Sequence, residues 1–277
     1  MSDAVAVYHG RFGRATLYNL THDLAVHAHR EGHLTFFVQG QPASMTVHDD
    51  DYALDPTTAV AINPWEPHAF YAGDREQGSL FLVLYIKPIW FLESARNAQC
   101  WLRFGRSQIE MTSQIQRSVH VLVSLLLEGE ESGLFEGYLY ELTRECFDQS
   151  WQWTPDGAPR VDCASPFTDF RVRKSMKLMS EKLGDELELD CVAREAGLSR
   201  PHFYKLFRKQ TGITPNLFLN TLRMERAIES LTISEKTVTN IGFDLGFSSQ
   251  ASFTRFFTSN VGIAPSDYRR VAHLALC

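Results

Sequence analysis

Four histidines near the start of the chain have the clearest chemical potential: His27, His29, His33 and His68. A strand that carries His27 and His29, two residues apart, points both rings to the same face. Imidazole is a common ligand of Zn, Cu, Fe and Ni. Three interpretations are open: polar side chains bonded to one another and to the backbone, contacts to a small-molecule effector, or a site for a divalent metal ion. The cofactor is therefore unknown at this point, with a metal as one alternative.

A second group of polar residues lies in the last third of the chain, where one pattern occurs twice. The turn GLS at 197–199 is matched by GFS at 246–248, and the segment 203–215 returns at a constant offset as 253–265. Each copy predicts a helix, a glycine turn and a second helix, which is the helix-turn-helix that reads a DNA major groove. Two copies predict a protein that reads two successive grooves without a dimer.

The second helix of each unit turns apolar residues such as Phe203 and Phe253 inward and leaves a polar face for DNA. Arginine reads guanine, glutamine reads adenine, and alanine or the threonine methyl suits thymine. Ordinary packing helices are the alternative, and two copies with the same ending weigh against it. The predicted DNA-contacting residues are Arg200, Pro201, Tyr204, Lys205 and Arg208 in the first unit and Gln250, Ala251, Thr254 and Arg255 in the second.

The elements that position these residues follow from the hydrophobic periodicity. Residues 5–90 hold short alternating or apolar runs between Gly, Pro and Asp, which is typical of a β-barrel or sandwich. Residues 107–150 change to a helical period and predict two helices. These helices cover the β domain and, in an equal alternative, also form a homodimer. Residues 152–168 hold three prolines and predict a linker, and residues 217–231 predict one helix that spaces the two DNA-reading units.

Charge is divided unevenly along the chain. The 277 residues have a net charge of −6, which is −10 over residues 1–167 and +4 over residues 168–277. Attraction to phosphate needs positive charge only at the contact. No apolar stretch approaches the length of about 18 residues that spans a membrane, and the first residues lack the pattern of a secretory signal. Five scattered cysteines without CxxC spacing predict reduced thiols and a cytoplasmic location.

The repeated segment resembles the DNA-binding domain of the AraC/XylS family of transcription regulators, from CVAREAGLSRPHFYKLFRKQTGITP to VTNIGFDLGFSSQASFTRFFTSNVGIAPSDYRR. The resemblance places that family's base-reading positions on Arg200, Pro201, Tyr204 and Lys205 in the first unit and on Gln250, Ala251, Thr254 and Arg255 in the second. There are departures from the family pattern. Gly242 replaces the usual alanine, which weakens its helix by up to about 1 kcal/mol but permits closer packing. Pro201 cannot donate a hydrogen bond, and Lys205 cannot make a forked contact to guanine. The first unit is therefore expected to discriminate less sharply than the second.

The histidine segment resembles the cupin barrel, whose motif is His-x-His followed by Glu and Gly, with a later His. His33 stands at the position of the Glu, and His68 matches the later His. Many AraC-like regulators carry such a barrel as an effector-binding domain, and most hold no metal there. The predicted fold class is therefore α+β, with a cupin-like barrel and two helices at 1–151, a linker at 152–168 and an all-α domain at 169–277.

Together the resemblances imply a sequence-specific transcription regulator that binds double-stranded DNA under the control of a small-molecule effector in the barrel. RNA polymerase is then a partner, as for an activator, although repression is equally open from the residues. The alternatives are a metal-dependent cupin enzyme fused to a DNA-binding module and a constitutive architectural DNA binder. The sequence shows no nucleophile triad and no phosphate-binding glycine loop, so a protein without enzymatic activity is expected.

Overall fold

The N-terminal part of the chain is built mainly from β-strands. The computed structural model describes residues 2–73, 76–88, 90, 103–129, 133–151, 169–184 and 187–274. Branched and aromatic residues dominate the inner strands, as β-structure favours. The strands are β1 (Asp3–Gly10), β2 (Gly13–Leu20), β3 (Leu24–His27), β4 (Gly32–Gln39), β5 (Ala43–Val47), β6 (Asp50–Leu54), β7 (Thr58–Ile62), β8 (His68–Tyr71), β9 (Ser79–Ile86), β10 (Gln108–Glu110) and β11 (Ala272–Leu274).

These strands form two sheets that pack against each other. The larger sheet has the order β10-β7-β4-β9-β2-β1-β11, and the smaller has the order β3-β8-β5-β6. Phe70 of the smaller sheet meets Phe81 of the larger, with ring centroids 5.2 Å apart. A β domain followed by a helical domain confirms the mixed fold at that level. The strand pairings within the described ranges leave two open sheets, however, because β3 is short and irregular in register and β11 occupies the outer edge of β1.

Two helices cover the outer face of the larger sheet, as the periodicity of residues 107–150 predicted. They are α1 (Ser113–Glu128) and α2 (Gly133–Trp151). Their buried faces share one apolar core with β2, β4, β7 and β9. Three apolar residues that share the helical period lie instead on the surface, because the helices point them away from the sheet. Leu127, Leu134 and Tyr138 are 58%, 61% and 41% exposed.

The C-terminal part of the chain is helical. The helix predicted for residues 217–231 is present and slightly longer, and the predicted linker at 152–168 lies outside the described residues. Within the described ranges, no helix combines the length and the apolar character that crossing a membrane requires. The helices are α3 (Phe170–Glu181), α4 (Leu189–Glu195), α5 (Arg200–Thr211), α6 (Pro215–Ile233), α7 (Val238–Asp244), α8 (Gln250–Val261) and α9 (Pro265–Val271).

The two DNA-reading units are packed differently. The first has a core largely of its own, centred on Phe203 and Phe207. The core of the second, with Phe253 and Phe257, is continuous with apolar residues of β1, β2 and the smaller sheet. In addition, β11 follows α9 and pairs in parallel with β1 of the N-terminal part. The second unit is therefore docked against the β domain over an apolar surface.

Candidate functional sites

A glycine in the left-handed region turns the chain between the two helices of each unit. Gly197 has a φ of 73° and Gly246 has a φ of 80°. Residues with a Cβ rarely adopt this conformation, so glycine fits the turn. The structure thus forms both predicted helix-turn-helix units, with α4 and α5 in the first and α7 and α8 in the second.

In the first unit, α5 presents a polar face to solvent. Ser199 occupies the N-cap position as predicted, although its hydroxyl makes no capping hydrogen bond. Pro201 lies in the first turn, where a missing N–H does no harm. Tyr204 is half-buried, while the other predicted contact residues are exposed. These are Arg200, Pro201, Lys205 and Arg208.

One of these residues already has an acidic partner within the unit. The guanidinium of Arg200 lies 3.0 Å from the carboxylate of Asp190 on α4 and 5.7 Å from the centre of the Tyr204 ring. Exposed ion pairs contribute about 0–1 kcal/mol, so DNA can displace Asp190 only at a small cost. This pairing therefore opposes a contact between Arg200 and a base only weakly, and the lower selectivity expected of the first unit stays a prediction.

In the second unit, hydroxyl groups cap both helices. The Thr237 hydroxyl accepts a hydrogen bond from a backbone N–H of α7 at 3.1 Å, and Ser249 does the same for α8 at 3.2 Å. A Cβ on Gly242 would lie 2.9 Å from the Cβ of Phe253. Glycine therefore allows α7 and α8 to approach closely, as the departure from the family pattern predicted.

The outer face of α8 carries the predicted base-reading residues of the second unit. Gln250, Ala251 and Arg255 are exposed and Thr254 is half-buried. The Oε1 atom of Gln250 accepts a hydrogen bond of 2.7 Å from the Thr239 hydroxyl. That bond orients the amide and leaves its NH2 group to donate. The face offers an amide donor, a guanidinium and two methyl groups, which is the chemistry that base edges in the major groove require.

The structure brings the four histidines together between the two sheets. His27 and His68 are cross-strand partners on β3 and β8, His33 lies on β4 of the other sheet, and His29 lies in the segment that joins β3 to β4. The His27 and His68 ring centroids are 4.3 Å apart, and those of His33 and His68 are 4.6 Å apart. None of the four residues is more than 8% exposed. We call this cluster the histidine pocket.

Hydrogen bonds fix two of these rings in one orientation. The Nδ1 atom of His27 donates to the Ala25 carbonyl at 2.6 Å, and that of His68 donates to the Glu66 carbonyl at 2.7 Å. A proton on Nδ1 leaves the Nε2 lone pair of each neutral ring free. Burial lowers the pKa of His27 to about 4 and the pKa values of His29, His33 and His68 well below the usual range.

The pocket has the donor chemistry of a metal site. The nearest ring nitrogens of His27, His29 and His68 lie within 4.8 Å of one another. Among the described residues, buried Nε2 atoms of His29, His33 and His68 have no hydrogen-bond partner, and neither does Nδ1 of His33. A buried nitrogen without a partner costs about 1–3 kcal/mol. The first interpretation is therefore met only in part, because His27 and His68 bond to the backbone while these unpartnered nitrogens do not bond to the other rings. The residues fit a divalent transition metal.

The contacts that join the histidine pocket to α6 were not predicted from the sequence. Trp65 is the third residue of a β-turn closed by the bond from the Glu66 N–H to the Asn63 carbonyl, and its φ of 65° is unusual for a bulky residue. Its N–H donates to the His29 carbonyl at 2.7 Å. Its ring stacks on Phe218 of α6, with centroids 5.1 Å apart and an interplanar angle of 19°. The positive φ is not visible in the residue types.

Two polar contacts accompany this stack. The hydroxyl of Thr221 donates to the Ala28 carbonyl at 3.1 Å, and Arg30 pairs with Glu225 at 3.0 Å. Ala28 and Arg30 flank His29 on both sides. All three contacts therefore connect α6 to segments that also carry pocket histidines.

An open cleft of about 880 Å³ lies between the β domain and α6, with His29, Arg14 and Glu225 among its lining residues. Arg14 is buried, and its guanidinium lies 3.8 Å from the centre of the Tyr85 ring. Its Nε atom has no hydrogen-bond partner among the described residues. The Tyr85 ring in turn contacts that of His29, at 5.1 Å between centroids. His29 thus belongs both to the lining of the cleft and to the histidine pocket.

Solved structures of ToxT from Vibrio cholerae share this fold over nearly the whole chain. A variant of ToxT in its apo form is 15% identical, with a TM-score of 0.61, and the match covers 93% of this chain and 96% of ToxT. ToxT bound to an unsaturated fatty acid is 16% identical, with a TM-score of 0.54 and coverage of 93% and 94%. At this identity the likeness is one of fold.

The sequence relatives match through the repeated units. A helix-turn-helix domain family matches residues 192–271. The TetD protein of transposon Tn10 from Escherichia coli is 37% identical over 33% of this chain and 67% of TetD. The regulatory protein PocR of Salmonella typhimurium is 34% identical and the transcriptional activator RhaS of Escherichia coli is 32% identical, but this chain spans only 34% and 36% of their lengths. With two such units in the ToxT-like arrangement, the chain belongs to the AraC family of transcription regulators.

Proposed function

We propose that the protein is a sequence-specific DNA-binding transcription regulator whose N-terminal domain is controlled by a small effector. The observation that carries the proposal is the pair of helix-turn-helix units with polar, exposed faces on α5 and α8. The single helix α6 joins the two units. It contains 19 residues and is about 28 Å long at 1.5 Å per residue, so it suits two grooves about one turn of DNA apart.

The second unit is the more selective in this proposal. Arg255 and Gln250 on α8 recognise guanine and adenine, and Ala251 and Thr254 contact thymine methyl groups. In the first unit, Lys205 and Arg208 bind phosphate, while Arg200 is held by Asp190. Phosphate contacts position a protein on DNA without selecting its sequence.

The cleft between the β domain and α6 is the proposed entrance for the effector, with the histidine pocket at its inner side. The fatty-acid complex of ToxT, a protein of the same fold, supports a small-molecule ligand for this N-terminal domain. An effector changes DNA binding only if it binds one arrangement of the two domains better than the other. The contacts of Thr221 and Glu225 with the β domain hold the two domains in one such arrangement.

Further parts of the proposal concern architecture and partners. The two sheets are proposed to be a cupin-related domain within 1–151, and residues 169–277 the DNA-binding domain. The exposure of three apolar side chains on α1 and α2, Leu127, Leu134 and Tyr138, supports a homodimer through these helices, and Leu134→Glu should abolish any dimer seen by sedimentation. RNA polymerase, met in the cytoplasm, is the proposed partner in activation. The fused cupin enzyme is not proposed: PocR and RhaS, which match only through the DNA-reading units, are named as regulators and give it no support.

Selection of bound duplexes from a random DNA library tests the function. We expect enrichment of two short motifs whose centres are about 10 bp apart, with an affinity that falls steeply as salt rises. Insertion of 5 bp between the motifs moves one of them to the opposite side of the duplex and should remove most of the affinity. A 10-bp insertion that restores the face is the matched control. Recovery of no common motif would contradict the proposal.

A further inference from the structure

The histidine pocket contains ring nitrogens whose lone pairs are free to bind a ligand that accepts electron pairs. Backbone carbonyls hold the Nδ1 protons of His27 and His68, so both Nε2 atoms are available. Metal-binding histidines commonly use their second nitrogen in this way, which fixes the ring and its tautomer. His33 takes the position of the carboxylate in the resembling motif, so all four candidate donors are imidazoles.

We propose that His27, His29 and His68, with His33 as a fourth donor, bind a divalent transition-metal ion of the Zn²⁺ class, and that α6 transmits its binding to both DNA-reading units. This inference rests on the proposed function and names its effector. Imidazole donors suit Zn, Cu, Fe and Ni, whereas Mg²⁺ and Ca²⁺ prefer oxygen. The pocket should therefore discriminate strongly against Mg²⁺.

The donor nitrogens lie farther apart in the structure than the nitrogen ligands of a bound zinc ion do. In the structure, the nitrogens of His27, His29 and His68 are separated by up to 4.8 Å. Two nitrogens bound tetrahedrally to Zn²⁺ at about 2.05 Å lie about 3.4 Å apart. Binding must therefore draw the donors together, by up to about 1.4 Å. Since His27 and His68 sit on neighbouring strands and His29 in the next segment, part of this movement falls on the backbone between them.

That backbone is the part of the β domain that touches α6. Ala28 lies between two of the donors and accepts from Thr221. Arg30, next to His29, pairs with Glu225. Trp65, three residues before His68, bonds to the His29 carbonyl and stacks on α6. A contraction of the pocket that moves this backbone changes these contacts.

The movement has a direct route to DNA recognition. The helix α6 connects the two units, and β3, which carries His27, packs beside α8 through Leu24, whose Cδ2 atom would meet a Cβ on Gly262 at 3.2 Å. The ion therefore biases the relative placement of α5 and α8, on which binding to two successive grooves depends.

Zinc stoichiometry of the full chain tests the site. Protein dialysed against metal-free buffer, loaded with Zn²⁺ and desalted should retain about one zinc per chain by elemental mass spectrometry, and the same treatment with Mg²⁺ should leave none. The double variant His29→Ala, His68→Ala should lose the zinc, and His68→Gln alone should bind at least about tenfold more weakly. His120→Ala, which changes an exposed histidine on α1, is the matched control. Wild-type protein without retained zinc would overturn the site, whatever the variants do.

The coupling is tested on a duplex selected as described above. Zn²⁺ should change the Kd of the wild-type protein for that duplex by about fivefold or more. Thr221→Val should keep the zinc but reduce this change, because it removes the bond to Ala28. Thr143→Val is the matched control, since that hydroxyl is also buried and, among the described residues, bonds within its own helix to Leu139.

Three results would overturn the inference at different points. Zinc bound at one per chain with an unchanged Kd would refute the coupling, and a full zinc response in Thr221→Val would refute the route through that contact. Failure to select any duplex would refute the proposed function and the coupling with it, while the zinc stoichiometry would still decide the metal site.

Discussion

Trp65 lies flat against Phe218, with ring centroids 5.1 Å apart and planes inclined by 19°. Trp65 belongs to a turn of the β domain, and Phe218 to the first turns of the helix that joins the two DNA-reading units. The backbone at Trp65 is strained, because this residue has a φ of 65°. A bulky residue is held there only when its surroundings stabilise it, and the stack on Phe218 does so.

Removal of the Trp65 ring should loosen the docking of the two domains. We expect Trp65→Ala to lower the free energy of unfolding by roughly 2–3 kcal/mol through lost stacking and buried area. Trp65→Gly should be less harmful than Trp65→Ala by about 1 kcal/mol, because glycine tolerates a positive φ. Thermal unfolding of the full chain measures both. Phe170→Ala, at a residue that is 66% exposed, should change little. An alanine variant more stable than the glycine variant would contradict the strained turn.

Gly262 tests whether α8 is packed on the β domain. Gly212 and Gly262 end α5 and α8 with φ values of 79° and 89°. Alanine at either position costs about 1 kcal/mol for the left-handed conformation. At Gly262 the new Cβ would also lie 2.8 Å from the Leu20 Cδ2 atom of β2, whereas at Gly212 no atom of the described residues lies within 4 Å. Gly262→Ala should therefore lower the melting temperature clearly more than Gly212→Ala. Equal effects would mean that the two units are equally free of the β domain.

Glu225 should make the domain contact sensitive to pH. Burial raises the pKa of Glu225 from 4.5 to about 7, although Arg30 opposes the shift and Glu31 supports it. The folded chain then holds a proton that the unfolded chain has released between these two pH values. The stability contributed by protonation is full below pH 4.5 and is lost as the pH rises through about 7.

The comparison of Glu225→Gln with the wild-type protein isolates this effect. The wild type should lose stability relative to the variant as the pH rises from 5 to 8, in denaturant titrations at each pH. Glu229→Gln, which changes an exposed carboxylate on the same helix, is the control for a general change of charge. If the difference in unfolding free energy between the wild type and Glu225→Gln does not vary with pH, Glu225 does not hold the proton.

Arg255 should determine one base of the recognised sequence. Arg255→Ala should cost about 1–3 kcal/mol of binding to the selected duplex and relax the preference at a single position. Lys205→Ala should instead weaken binding to all sequences by a similar factor and reduce the salt dependence, as expected of a phosphate contact. Arg226→Ala, on the exposed side of α6, is the control. Competition with single-base variants of the duplex separates these outcomes, and a uniform loss for Arg255→Ala would assign it to phosphate.

The DNA-reading units could be predicted from the sequence because their signals are local and occur twice. The glycine turns, the cap at Thr237 and the inward Phe253 and Phe257 all follow from short-range periodicity. The departure from the family pattern at Gly242 also predicted the close packing of α7 against α8. It did not anticipate the pairing of Arg200 with Asp190, since the choice between solvent and a neighbouring carboxylate depends on side-chain geometry.

The histidine pocket was predictable only as a set of residues. The two-residue spacing of His27 and His29 and the resembling cupin motif pointed to His33 and His68, but not to the tautomers that the carbonyls of Ala25 and Glu66 impose. The docking of the two domains was invisible for a different reason. Thr221 and Ala28 are 193 residues apart, and no local pattern encodes such a contact.

The shared core of the second unit limits how this protein can be divided. Phe253, Phe257 and Tyr268 are completely buried only where residues of β1 and β2 complete their surroundings. A hybrid regulator made by joining these two units to another sensor domain would expose that apolar surface unless the new domain matched it. A replacement domain must therefore supply an apolar surface that fits the second unit.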